Sequence, residues 1–233
     1  MSRLTQIVLF PNDQAEALQA WWLTEDGLTA SAPLVEDGEG LPVVALVAPE
    51  HVVVRWHGYD ALAPKQAEAA ARLEAASASV VTAGLHIAAQ ERSGAVVSGS
   101  VDSQFFACGL DRLKAEGLDP DHVWPMGLLL PAEAEHLVRA KLGKTSALRM
   151  GAQILPDDPA LAALIAGDKP VRDVAEPEFA GYLRAALSEP PMDLRSGQFA
   201  KKNARAGLDR GKLKLAAYVV AAGLLCSLLL ALV

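Results

Sequence analysis

Residues 142–146 read LGKTS, which has the form of the tail of a phosphate-binding loop. Such a loop needs a glycine five positions before its Gly-Lys pair, so that bare backbone can wrap phosphate, with a strand before it and a helix after it. Val138 stands at that position, and the preceding AEAEHLVRAK is rich in Ala, Glu, Lys and Arg, unlike the apolar strand that delivers such a loop. The stretch reads as an exposed turn. An actin-like nucleotidase cradles phosphate differently, with a strand ending in an Asp-x-Gly turn whose aspartate positions the metal. Here the first strand ends in LFPNDQ, the hairpin after LHIAAQ reads RSGAVVSG without the aspartate, and Asp37-Gly38 lies in an acidic turn that repels phosphate. Neither nucleotide nor any other cofactor is expected.

Metal and nucleophile chemistry are equally poorly supported. The five histidines are at 51, 57, 86, 122 and 136. His51 and His57, placed on one strand, share a face but stand about 20 Å apart by strand rise, too far to chelate one ion. Glu133, Glu135 and His136 crowd one segment without the spacing of a helix-borne metal site, and read as a solvated face. Cys108 falls inside an amphipathic helix, where a lone cysteine is a small core residue. Cys226 lies in a different phase, so no disulfide framework forms. With no Gly-x-Ser-x-Gly elbow either, the chain is expected not to be an enzyme.

The elements around these residues carry more information. At 233 residues and 52% hydrophobic, the chain has room for one large domain or two small lobes with real cores. Charge is unevenly placed. Lys201, Lys202, Arg205, Arg210, Lys212 and Lys214 face a single acid, Asp209, and the body before them holds 15 basic and 27 acidic residues. An acidic body argues against nucleic acid as a partner. From Leu215 to Val233 run nineteen residues without a charge or a proline. As a helix they span about 28 Å, the thickness of a bilayer core. The basic flank assigns residues 1 to about 212 to the cytoplasm, and it can also touch anionic lipid. Gly223, Cys226 and Ser227 give the span a small-residue side. The N-terminal IVLF is too short for a signal peptide. The chain stops with the span, as a tail anchor or as a fragment cut before a further domain.

Before that span, turn signals separate strand candidates at 6–10, 20–24, 28–35, 42–48 and 51–57. Helices are expected over 64–78, with proline at its first position, and over 101–117, with Asp102 as N-cap, Gly117 at its end, and Phe105, Phe106, Leu110 and Leu113 along one side. A hairpin joins 85–90 to 95–100, GLDPDHVWPMGLLLP forms a turn and strand, and helices cover 157–167 and 176–188.

Three passages, in this order, resemble the type II secretion system protein L family, an inner-membrane platform component. LVAPEHVVVRWHGYDALAPKQAEAAARLEA is similar to that family's strand, Pro-acid turn, strand, Leu-Pro and helix. AVVSGSVDSQFFACGLDRLKAEGLDPDHVWPMGLLLP is similar to its next helix and strand. MDLRSGQFAKK resembles its signature before the membrane, carried here by Leu194, Gly197 and Phe199. The resemblance implies an α/β cytoplasmic domain of degenerate actin-like (ribonuclease H-like) fold. Its first lobe would be residues 1–100 and its second lobe and return segment 101–200, followed by a basic linker at 201–214 and one transmembrane helix at 215–233. It implies a homodimeric bacterial inner-membrane scaffold that docks the cytoplasmic secretion ATPase, protein E, beside platform proteins M and F. Family members continue into a periplasmic ferredoxin-like domain that pairs with protein M; this sequence stops before it, which favours the fragment. One departure stands out, since the family's acidic pattern late in the first helix is reduced to Glu74. A membrane-anchored actin-like ATPase and a pilus-assembly platform subunit are the alternatives.

Overall fold

The computed structural model describes residues 3–12, 17–32, 41–79, 84–92 and 94–201. Met1–Phe199 form one compact unit and Ala200–Val233 another. The Asp37-Gly38 turn, the basic residues Lys202, Arg205, Arg210, Lys212 and Lys214, and the apolar stretch 215–233 with Gly223, Cys226 and Ser227 lie outside the described residues, of which Lys201 is the last. Among the described residues no helix is long and apolar enough to cross a membrane.

The first sheet is assembled around an uninterrupted apolar run, VVALV. This strand, β4 (Val43–Val47), is buried at every position, as a central strand covered on both faces must be. It pairs in parallel with β1 (Arg3–Leu9), which pairs antiparallel with β2 (Ala20–Thr24) and through it with β3 (Leu28–Ser31). On its other side lies β8 (His122–Pro125), also parallel, so the sheet takes its last strand from the second half of the chain. Alternation divides these strands between two cores. Ile7, Leu9, Val44, Leu46 and Trp124 face one, while Val8, Val43, Ala45, Val47 and Val123 face the other.

A second, three-stranded antiparallel sheet has the order β5 (Val52–His57), β7 (Ala95–Asp102), β6 (Leu85–Arg92). Helix α1 (Pro64–Ser77) starts on proline and buries only Ala67, Ala71 and Ala75, an i, i+4 stripe small enough to let the helix lie close on β6 and β7. Helix α2 (Ser103–Ala115) begins where the Asp102 carboxylate accepts the Phe105 amide at 2.7 Å. It ends at Gly117, whose φ of +80° lets Leu118 N–H reach back to the Leu113 carbonyl at 2.9 Å.

The third sheet is the part that pattern reading missed. Its order is β11 (Gln153–Pro156), β10 (Thr145–Met150), β9 (Leu137–Leu142), β12 (Val171–Val174), with β12 parallel to β9 and the other pairs antiparallel. LGKTS is the tight turn between β9 and β10. Gly143 has φ +56°, and a Cβ there would lie 2.1 Å from Gln19 Oε1 and 2.9 Å from the Trp21 ring, so only glycine fits. A strand follows where a phosphate loop requires a helix. Helix α3 (Pro159–Ala166) lies on this sheet, and α4 (Glu176–Ser188) inserts Phe179, Ala180, Leu183 and Ala186 into the first core.

Candidate functional site: the return segment

After α4 the chain crosses back over the body, and Leu194, Gly197 and Phe199 lie on this return. Met192 and Leu194 enter the second core above Gly99, where a Cβ would stand 2.4 Å from Met192 Cε. Leu194 N–H donates to the Val123 carbonyl at 2.9 Å. Val123 N–H donates in turn to Asp193 Oδ1 at 2.9 Å, and Arg195 N–H donates to the same oxygen at 2.8 Å. The open edge of β8 is thereby covered, as an edge strand must be to avoid pairing with another chain. His122 Nδ1 donates to Asp193 Oδ2 at 2.8 Å. The nearly buried Arg195 guanidinium donates to the Pro120 carbonyl and to Asp119.

His86 closes the clasp. Its Nε2 lies 2.6 Å from the Leu194 carbonyl, and because that oxygen can only accept, the proton is on Nε2. Burial pushes the His86 pKa down, with the Leu194 hydrogen bond opposing. The ring stacks on Phe106 at 5.3 Å and meets the edge of Phe199 at 4.8 Å. Gly197, at φ +56°, makes the turn that brings Phe199 onto this pair. Leu194 and Phe199 are thus brought together around His86 and Phe106, while Gly197 sits exposed at the bend. Sequence reading missed Asp193, Arg195, His86 and His122. A hint was present in the acid and the base that flank Leu194 in Asp-Leu-Arg.

Among the described residues, backbone amides of the two turns weighed in the sequence as phosphate loops have partners within the protein. After β1, Phe10 N–H donates to the Leu46 carbonyl at 2.9 Å, and Pro11 has no N–H. The Phe10 ring lies against α2, stacked on Phe106 at 5.3 Å, over Gly109, whose absent Cβ would sit 2.1 Å from the ring. In the β6–β7 hairpin, Gly94 N–H donates to the Glu91 carboxylate at 2.9 Å, so this amide already serves an anionic side chain.

One arrangement looks catalytic. His57 Nδ1 stands 3.2 Å from Glu74 Oε2 and its Nε2 2.8 Å from Ser98 Oγ, the layout of a serine, histidine and acid relay. Ser98, however, is 0% exposed, while the Glu74 side chain is 58% exposed, so the hydroxyl is sealed from any substrate. The cluster fastens α1 to β5 and β7. The Tyr59 hydroxyl also donates to Glu74, and this bond, ahead of His57, holds the Glu74 pKa below its usual value.

The remaining sequence candidates are scattered. His51 lies in a 3-10 turn before β5, stacked on Phe105 at 4.3 Å, away from His57. Glu133 pairs with His136 at 3.2 Å and Arg172 at 2.9 Å, and Glu135 stands 4.0 Å from Lys169, all partly solvated. Cys108, expected in the core, is exposed. Helix α2 turns Phe106, Gly109, Leu110 and Leu113 inward, and position 108 falls on the opposite side.

No family model and no curated protein matches the chain. Among solved structures, it is similar to the cytoplasmic domain of EpsL, an inner-membrane component of the type II secretion system of Vibrio cholerae, with TM-score 0.64 and 15% identity over 84% of this chain and 99% of that one. More distant likenesses are a PilM–PilN type IV pilus biogenesis complex, with TM-score 0.45 and 15% identity over 80% and 74%, and a Bacteroides thetaiotaomicron protein with an actin-like ATPase fold, with TM-score 0.36 and 8% identity over 66% and 68%. The body from β1 to the return segment therefore has the fold of the cytoplasmic EpsL domain, and the protein L family that its motifs resemble is the one its fold resembles.

Proposed function

We propose that this chain is an inner-membrane platform subunit of a type II secretion system, one that holds the cytoplasmic secretion ATPase at the membrane and catalyses no reaction itself. The observation that carries the reading is the likeness of the body to 99% of the cytoplasmic EpsL domain. Two features support it. Among the described residues of the two turns, the Phe10 amide is bonded to Leu46 and the Gly94 amide to Glu91, and Pro11 has none. The clasped return segment ends two residues before Lys201, the first of the basic series. In this reading residues 201–214 are the linker and 215–233 the span, with the body in the cytoplasm. Recruitment raises the local concentration of the ATPase near its assembly, which aids function without chemistry in the anchor.

The test is affinity purification of the full chain from its native membranes with identification of the bound proteins. Recovery of the secretion ATPase, protein E, with platform proteins M and F is the expected result. Recovery of a pilus ATPase instead, or of nucleotide on the purified chain, would overturn it.

A further inference from the structure

Helix α3 reads PALAALIA and carries no charged or hydrogen-bonding side chain. A helix that is apolar all round belongs in an interior, yet this one buries only Ala166, with Ala162 packed beside it against Leu137, Leu148, Met150 and Leu155 and Ile165 partly covered. Its outer side shows Leu161, 39% exposed, and Leu164, 77% exposed, three positions apart and so on one face. Val171, at the start of β12, is 46% exposed. These eleven residues, 161–171, hold three of the six exposed large hydrophobics among the described residues.

The surroundings select the occupant. Between positions 157 and 178 there are six acids and two bases; Arg172 pairs with Glu178 and Glu133, and Arg139 of β9 pairs with Asp157 and Asp173, so acids outnumber bases here by six to three. Asp157 and Asp158 precede the helix and Asp168 follows it. An anionic membrane surface is repelled by this rim. A second copy would bring an identical acidic rim, and an eight-residue helix offers far less than the ~800 Å² per partner of a stable dimer. We propose that the outer face of α3 docks a helix of a partner protein whose apolar face is flanked by lysine or arginine. This rests on the platform reading, in which the secretion ATPase supplies that helix. The small area fits a transient contact, and the charge rim makes it weaken with salt.

Two measurements on the full chain in detergent test this. The first uses a fluorescent amphipathic peptide of leucine and lysine, with a leucine and glutamate peptide as control. Binding of the lysine peptide alone, reduced tenfold or more by Leu164→Glu, is expected; that variant adds negative charge, so lost binding reports the apolar face. Binding of neither peptide, or equal binding to wild type and variant, overturns the docking surface. The second measures affinity for the purified cognate ATPase, with Leu73→Glu on α1 as an exposed control. A tenfold loss for Leu164→Glu and none for Leu73→Glu supports the proposal. Equal ATPase binding by wild type and Leu164→Glu, or a wild-type dimer that Leu164→Glu dissociates, overturns it. Lysine-peptide binding at α3 without ATPase binding by the wild type upholds the surface and sinks the platform reading instead.

Discussion

His86 Nε2 donates to the carbonyl of Leu194 at 2.6 Å, joining β6 to a residue 108 positions later in the chain. This bond fastens the return segment to the body at the point where Phe106 and Phe199 also meet. Because the imidazole is buried and its pKa is lowered, the clasp is sensitive to acid.

The sign follows from linkage. The unfolded chain takes up a proton near the ordinary histidine value of 6.5, whereas folded His86 resists it to lower pH. Stability is therefore full above that value and falls as pH drops towards the folded pKa. His51, whose pKa burial also lowers, acts in the same direction. Urea midpoints at pH 7.5 and 5.5 should show wild type weaker at 5.5, with a smaller drop in His86→Phe. An unchanged drop in that variant would remove His86 from the account.

Asp193 accepts from the Val123 and Arg195 amides and from His122. Asp193→Ala leaves the buried Val123 amide without its partner, so equilibrium unfolding should show a loss of about 2–3 kcal/mol. Asp193→Asn keeps one acceptor oxygen and should lose less.

Two glycines separate rigid from yielding neighbours. An alanine at 109 would place its Cβ 2.1 Å from the Phe10 ring, itself stacked on Phe106, whereas at 99 it would meet the mobile end of Met192 at 2.4 Å. Gly109→Ala should cost about 1–3 kcal/mol by overpacking, despite up to about 1 kcal/mol gained in helix propensity. Thermal melts should rank Gly99→Ala the milder change.

Ser98 should be chemically silent. A fluorophosphonate probe is expected to leave the native protein unlabelled, since the hydroxyl is sealed. Ser98→Ala should instead appear as about 1–3 kcal/mol of lost stability, because the buried His57 Nε2 loses its hydrogen-bond partner. Labelling at Ser98 would restore the hydrolase possibility.

The local elements were legible because their signals are local. Pro64 opens α1, Asp102 caps α2, Gly117 ends it, and VVALV, an apolar run of strand length between turn signals, reads as a strand. Gly143-Lys144 was readable as a turn for the same reason. The sheet β11-β10-β9-β12 was not, since its strands are only four to six residues long, and Arg139 and Lys141 in β9 resemble a solvated helix as much as a strand. The apolar side of α2 was legible in Phe106, Leu110 and Leu113, and position 108 lies opposite it; placing Cys108 in the core followed its residue type rather than its helical phase.

The site divides along the same line. Leu194, Gly197 and Phe199 stand close enough together to be read as one motif. Asp193 meets His122 and Val123 across 71 and 70 positions, and Arg195 meets Asp119 across 76. No local preference reports such a separation, because what makes these polar groups partners is shared burial at one strand edge, and burial exists only once β8, β6 and the return segment have come together. The sequence by itself determined the charge asymmetry and the apolar end. The tertiary structure alone decided that the Phe10 and Gly94 amides are bonded to Leu46 and Glu91 and that α3 is left uncovered among the described residues.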